Sequence, residues 1–177
     1  MNEYNGYEYT PKDPNTAEKL LACLALVFAA ASFGVSRLDG IPYPAILQFA
    51  AVVFLTVSLA LANRSILRSY TYTVTEPDEN GRRDFLITEH IGKKHTAVCR
   101  VGLSQIRSVE IVRAGDKEKI RQAEKAANVI YRYMTALFPR ELMLVTLETG
   151  DAVTLLRIPA EKGLQDALRA EESKNCL

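Results

Sequence analysis

Apolar positions divide this chain into unlike parts. Between Leu20 and Ala62 the only charged side chains are Arg37 and Asp39, while the flanking segments are polar or alternate in character. Residues 20–36 (LLACLALVFAAASFGVS) carry no charge and, rising about 1.5 Å per residue as a helix, extend about 25 Å, enough to cross a bilayer core. Residues 45–62 (AILQFAAVVFLTVSLALA) form a second such run whose polar side chains are Gln48, Thr56 and Ser58, with Pro42 and Pro44 suited to a first helical turn. Arg37, Leu38, Asp39 and Gly40 mark a tight turn between them. The pattern predicts a 1–19 N-terminal tail, transmembrane helices over 20–36 and 45–62, and a short extracytoplasmic loop at 37–44, with both chain ends on one side.

Two other readings compete for these runs, a pair of buried helices in a soluble core and a cleaved leader. Successive charge-free runs of this length are rare in soluble chains, and the first 19 residues are net acidic rather than basic. Lys19 before the first run, with Arg64 and Arg68 after the second, outweighs Arg37 in the loop and orients both termini toward the cytoplasm. Small residues recur at three- and four-residue steps, Ala22, Ala25, Ala29 and Ser32 on the first helix and Ala51, Ser58 and Ala62 on the second. These faces predict close packing between the spans or with another copy. No ionisable side chain lies within either run, and Gln48 is the one strong hydrogen-bonding group at depth, so an ion or proton path has nothing to run on.

Beyond a linker at 63–68, period-two patterning predicts short strands. They are SYTYTVT at 69–75, DFLITEHI at 84–91, HTAVCRVGL at 95–103, QIRSVEIVR at 105–113, NVIYRYMTALF at 128–138, ELMLVTLE at 141–148 and AVTLLRI at 152–158. Residues 76–81 and 92–94 are turn clusters, and Thr149, Gly150 and Asp151 close a hairpin. The Lys-, Glu- and Ala-rich stretch at 114–127 reads as a loop, with a short exposed helix within it as the alternative. After Pro159, Leu164, Ala167 and Leu168 fall on one helical side, predicting an amphipathic cap before a 172–177 tail. Seven strands and one helix over 69–171 predict a small antiparallel barrel or sandwich.

YTYTVT at the start of this region, the FLITEHIGKK hairpin and VGLSQIRSVEIV at 101–112, with its apolar-Ser-x-Ile-x-x-Val pattern, come in an order of seven strands then one helix, directly after two spans. In this the chain resembles the bacterial pleckstrin-homology-like domains of small membrane proteins, over residues 69 to about 171 and, with the spans, most of the chain. The resemblance implies a seven-stranded, two-sheet antiparallel barrel plugged at one end by the helix.

The 177 residues are 48% hydrophobic and carry a net charge of +1, without the basic excess of a nucleic-acid-binding domain, so no nucleic acid partner is expected. Cys23, Cys99 and Cys176 have no metal or redox spacing and suit a reducing compartment. His90 and His95, one on each arm of a proposed hairpin, are the only bases for hydrolytic chemistry, and Glu89 is the only acid adjacent to them. Two histidines beside a turn are ordinary surface residues, no phosphate-cradling glycine loop or CxxC is present, and neither an enzyme nor a cofactor is expected. Basic residues gather at Arg82 and Arg83, at Lys93 and Lys94, and around Lys117 and Arg121, where Asp116, Glu118 and Glu124 offset them. These are candidate contacts for lipid headgroups or a partner. Thr75, Glu76, Asp78 and Glu79 stand where an inositide-binding signature wants a lysine, so specific inositide binding is not expected. Tyr4, Tyr7 and Tyr9 make the acidic tail a candidate ligand for the domain's own groove. The expectation is a non-enzymatic protein of the bacterial inner membrane, its cytoplasmic β domain an interaction or scaffold module, its partners membrane lipids and a protein or second copy. The alternative is a regulator responsive to anionic headgroups.

Overall fold

The computed structural model describes residues 6–11, 16–65, 67–150 and 152–169. The chain divides into two compact units, Asp13–Arg68 and a second made of Met1–Lys12 together with Ser69–Leu177.

The first unit is a helical pair, α1 (Thr16–Val35) and α2 (Pro44–Ser65). Both extend past the predicted spans. Thr16 to Lys19 join α1, with Glu18 in the first turn where the helix dipole favours an anion. Asn63, Arg64 and Ser65 continue α2 because no glycine or proline stops it, which shortens the expected 63–68 linker. Ala22, Ala25 and Ala29 are buried, as are Ala51 and Ser58, while Ser32 is half-buried. The small faces therefore meet, and the Ser58 hydroxyl donates across the pair to the Ala22 carbonyl at 2.8 Å. Phe28 and Phe54 pack with ring centroids 5.7 Å apart. The remaining large apolar side chains point outward, Phe49 being 72% exposed and Val27 66%. Both helices are long and apolar enough to cross a membrane.

The second unit holds two four-stranded sheets. One has the order β1 (Tyr7–Tyr9), β2 (Arg68–Val74), β3 (Asp84–Ile91), β4 (Lys94–Gly102). A single 3-10 turn leads to β5 (Ile106–Arg113), then α3 (Lys117–Ala126), β6 (Val129–Arg132), β7 (Glu141–Thr149), β8 (Ala152–Pro159) and α4 (Lys162–Arg169). The second sheet has the order β5-β7-β8-β6. Seven strands lie between Arg68 and Pro159, as expected, and the N-terminal tail adds an eighth.

Two expectations need correction. The sheets form no closed seven-stranded barrel among the described residues. The fifth predicted strand, 128–138, is reduced to β6 and runs parallel to β8, because α3 carries the chain back across the sheet before β6 begins. Tyr133 still donates its N–H to the Arg157 carbonyl at 3.0 Å, but the chain then leaves the ladder toward Pro139, which has no N–H to contribute. Within 114–127 the short exposed helix forms as α3, with none of its residues fully buried. It is held by the apolar run LMLV in β7, whose residues Leu142 to Val145 are all buried. Met143 and Val145 face the main core with Tyr72, Val74, Phe85, Ile87, Leu156, Ile158, Leu164 and Leu168. Leu142 and Leu144 face the other way, joining Val112, Met134 and Leu155 beneath Ile120 and Ala123 of α3. Leu164 and Leu168 of α4 are buried with Ala167 beside them, on the side predicted.

Two polar contacts tie these layers together. The Tyr72 hydroxyl, inside the main core, donates to the Tyr133 carbonyl at 2.5 Å, and the Tyr133 hydroxyl donates to the Val98 carbonyl at 3.2 Å. Burial raises both phenols, Tyr133 to about 12 and Tyr72 further. The folded protein thus keeps protons that an unfolded chain releases near pH 10, so this stabilisation is complete below pH 10 and fades as pH rises toward 12. In an alkaline titration followed at the phenolate absorbance, these two tyrosines will ionise after the exposed ones, together with loss of β structure. On β8, the Arg157 guanidinium donates to the Glu124 carboxylate and so fastens α3 to the sheet. Glu124→Ala leaves that largely buried cation unpaired; α3 amides will exchange faster, with about 2 kcal/mol of stability lost.

Candidate functional site

The three basic clusters do not converge. Arg82 and Arg83 end a loop shaped by Asp78, whose Oδ1 accepts the Asn80 and Arg82 N–H groups at 2.9 and 2.7 Å. Lys93 and Lys94 lie at the β3–β4 turn, made possible by Gly92 at φ +59°. Eight-residue β3 separates the two pairs by about 26 Å, so they sit at opposite ends of one strand. Lys117 and Arg121 are elsewhere again, one turn apart on the exposed side of α3. The Lys93 turn lies at the end of its sheet where β2 begins: the Tyr70 hydroxyl donates to Glu89 Oε1 at 3.0 Å, and His90 Nε2 is 2.9 Å from the Thr71 hydroxyl.

His90 and His95 are direct partners across the β3–β4 hairpin, with their Nδ1 atoms in hydrogen-bond contact and ring centroids 4.5 Å apart. One ring must donate and the other accept, so protonating both would set two donors face to face. Glu89 points to the other face and is engaged by Tyr70. Among the described residues no group of three or more His, Cys, Asp or Glu side chains is placed to hold a metal ion.

The best-formed site is the outer edge of β2, where the tail lies. β1 pairs with it antiparallel, Tyr7 opposite Val74, Glu8 opposite Thr73 and Tyr9 opposite Tyr72. Alternation turns Tyr7 and Tyr9 toward the core and Glu8 to solvent. Tyr9 stacks on Tyr72 at 6.1 Å, and the Thr10 and Thr71 hydroxyls are 2.9 Å apart. The Tyr7 hydroxyl donates to Glu161 Oε1 at 3.4 Å, just before α4. Its ring occupies space that only a glycine at position 163 leaves open: a Cβ there would fall 2.6 Å from the Tyr7 oxygen. Gly6 is also closely approached, since its Cβ would meet the Val74 carbonyl at 3.0 Å. Burial, then the Glu161 charge, raises the Tyr7 phenol, and burial raises that of Tyr9, so both strand tyrosines are neutral near pH 7.

The reading of the tail as a ligand for the domain therefore finds Tyr7 and Tyr9 in place, while Tyr4 lies outside the described residues. The receiving residues Thr71, Tyr72, Glu161 and Gly163 were not foreseen. Gly163 offered a signal, because glycine inside a helix is disfavoured by about 1 kcal/mol unless something needs the space. In Gly163→Ala, the methyl group forces the Tyr7 ring to shift from its present place; α4 will persist or gain stability, while the amides of residues 7–9 lose protection from hydrogen exchange. Comparison with protein-family models, with curated proteins and with solved structures finds no match to this chain.

Proposed function

We propose that this chain is a non-enzymatic membrane protein, anchored in a bacterial inner membrane by α1 and α2, with a cytoplasmic pleckstrin-homology-like domain that acts as an interaction or scaffold module. The observation that carries this reading is the strand added at β2. Its backbone ladder and two side-chain recesses accept an extended segment, which is how strand-adding recognition domains take their ligands. The chain arrangement supports the membrane topology. β1 precedes α1 and β2 follows α2, yet the two strands share one ladder, so both ends of the helical pair return to the same side. Lys19, Arg64 and Arg68 then favour the cytoplasm. The outward-facing Leu20, Val27, Phe49 and Leu59 suit contact with lipid. Seven strands followed by α4 support the pleckstrin-homology-like reading, from which the parallel β6 and the open sheets depart.

One observation favours the alternative, a regulator that senses anionic headgroups. Lys93 and Lys94 form a basic pair at the sheet end where β2 begins, the end that follows α2 in the chain, while Arg82 and Arg83 lie at the other end of β3. Each cation close to an anionic leaflet contributes about 1 kcal/mol.

Photo-crosslinking residues at positions 93 and 121 of the full-length protein, in its own membrane, separate the two. The interaction reading expects one discrete protein, or a second copy of this chain, at one or both positions. Lipid adducts alone at position 93, lost at high salt, would replace it with the headgroup sensor.

A further inference from the structure

The tail strand shows what the edge of β2 is shaped to receive. Each residue from Gly6 to Thr10 meets a different demand. Position 6 favours glycine, because a Cβ there would stand 3.0 Å from the Val74 carbonyl. Position 7 needs a ring that reaches the notch over Gly163 and a hydroxyl for Glu161. Position 8 faces solvent and is unrestricted. Position 9 needs an aromatic face for Tyr72, and position 10 a hydroxyl for Thr71. The edge therefore reads a Gly-Tyr-x-Tyr-Thr segment, in which the tyrosine beside Glu161 must be unmodified, since a phosphate would set like charges together.

The resident segment is weakly held in one respect. A ladder of three residues is at the lower limit of strand length, and its retention rests on the high local concentration that a tether provides. Five residues, 11–15, separate the segment from α1 in the sequence and set its greatest reach at about 17 Å. The segment is identical in every copy, so an edge within that reach, its own or an adjacent copy's, offers it the same partners. Every copy carries both the segment and the edge, so mutual exchange satisfies both sites and closes the pair as a two-fold dimer.

We propose that the outer edge of β2, with the notch over Gly163, is a strand-recognition site for an extended Gly-Tyr-x-Tyr-Thr segment, and that residues 6–10 of a second copy of this chain exchange into it. This deepens the interaction-module reading and rests on it by naming the partner and the surface used.

The test uses full-length chains in a lipid membrane, with Cys23, Cys99 and Cys176 replaced. One chain carries Glu8→Cys and another Thr73→Cys, positions that face each other in the ladder at a separation suited to a disulfide. Oxidation of the mixed chains should give a disulfide-linked heterodimer. Tyr7→Ala in the first chain, or Gly163→Leu in the second, should lower its yield at least tenfold, and so should an excess of free peptide covering residues 5–11 but not its scrambled form. A single chain carrying both cysteines reports the same ladder within one molecule. If that chain crosslinks internally while the mixed chains never do, exchange is refuted and the resident strand is permanent. If neither crosslinks, the edge is not a strand site and the proposal fails altogether. Capture at positions 93 and 121 uses other surfaces, so the interaction reading survives or falls separately.

Discussion

The antiparallel ladder between Tyr7–Tyr9 and Tyr72–Val74 is the constraint on which the arrangement of this protein depends. It joins chain segments separated in sequence by both apolar helices, making the helical pair an insertion within the β unit rather than a prefix to it. The sheet is thereby completed by residues from both sides of the insertion, and the path of α1 and α2 must return to where it began. Closing so long a loop carries an entropic cost that grows only slowly with length, and the two tyrosine side chains are what three backbone pairings have to offset it.

The rest of the β unit is organised around β7, which has no solvent face over Leu142 to Val145. A strand buried on both sides needs cover on both sides. The first sheet and α4 supply one, and α3 supplies the other, fastened by Arg157 and Glu124. This layering also explains the surface. The clustered basic residues lie at loop tips and on the outer side of α3, and because those places belong to different layers they remain three separate clusters.

Sequence patterning revealed the elements far better than their partners. The charge-free runs marked both helices, the small-residue steps marked the faces that meet, and period-two alternation located seven strands. Boundaries drifted where no breaker residue stands, as at Asn63 to Ser65. The tract NVIYRYMTALF was overread because its apolar residues serve three environments in turn, an exposed edge at Val129 to Tyr131, a bridge between sheets at Tyr133 and the second core at Met134. LMLV carried a legible sign that α3 had to exist, since four consecutive buried residues in a strand leave a second face to cover. The site was half legible: tyrosines two apart signalled the ligand, whereas Gly163 acquires meaning only once the chain brings it against Tyr7.

The split of the β unit around the helical pair has a consequence for biosynthesis. A ribosome delivers Tyr7 and Tyr9 some 65 residues before Tyr72, a delay of several seconds at ordinary elongation rates, during which both apolar helices must leave the tunnel. The tail thus emerges with nothing to pair with until β2 follows, and the notch for its Tyr7 ring is complete only once α4 with Gly163 has been made. The last contact of the edge strand, Tyr7 against Gly163, therefore waits on the last-made helix.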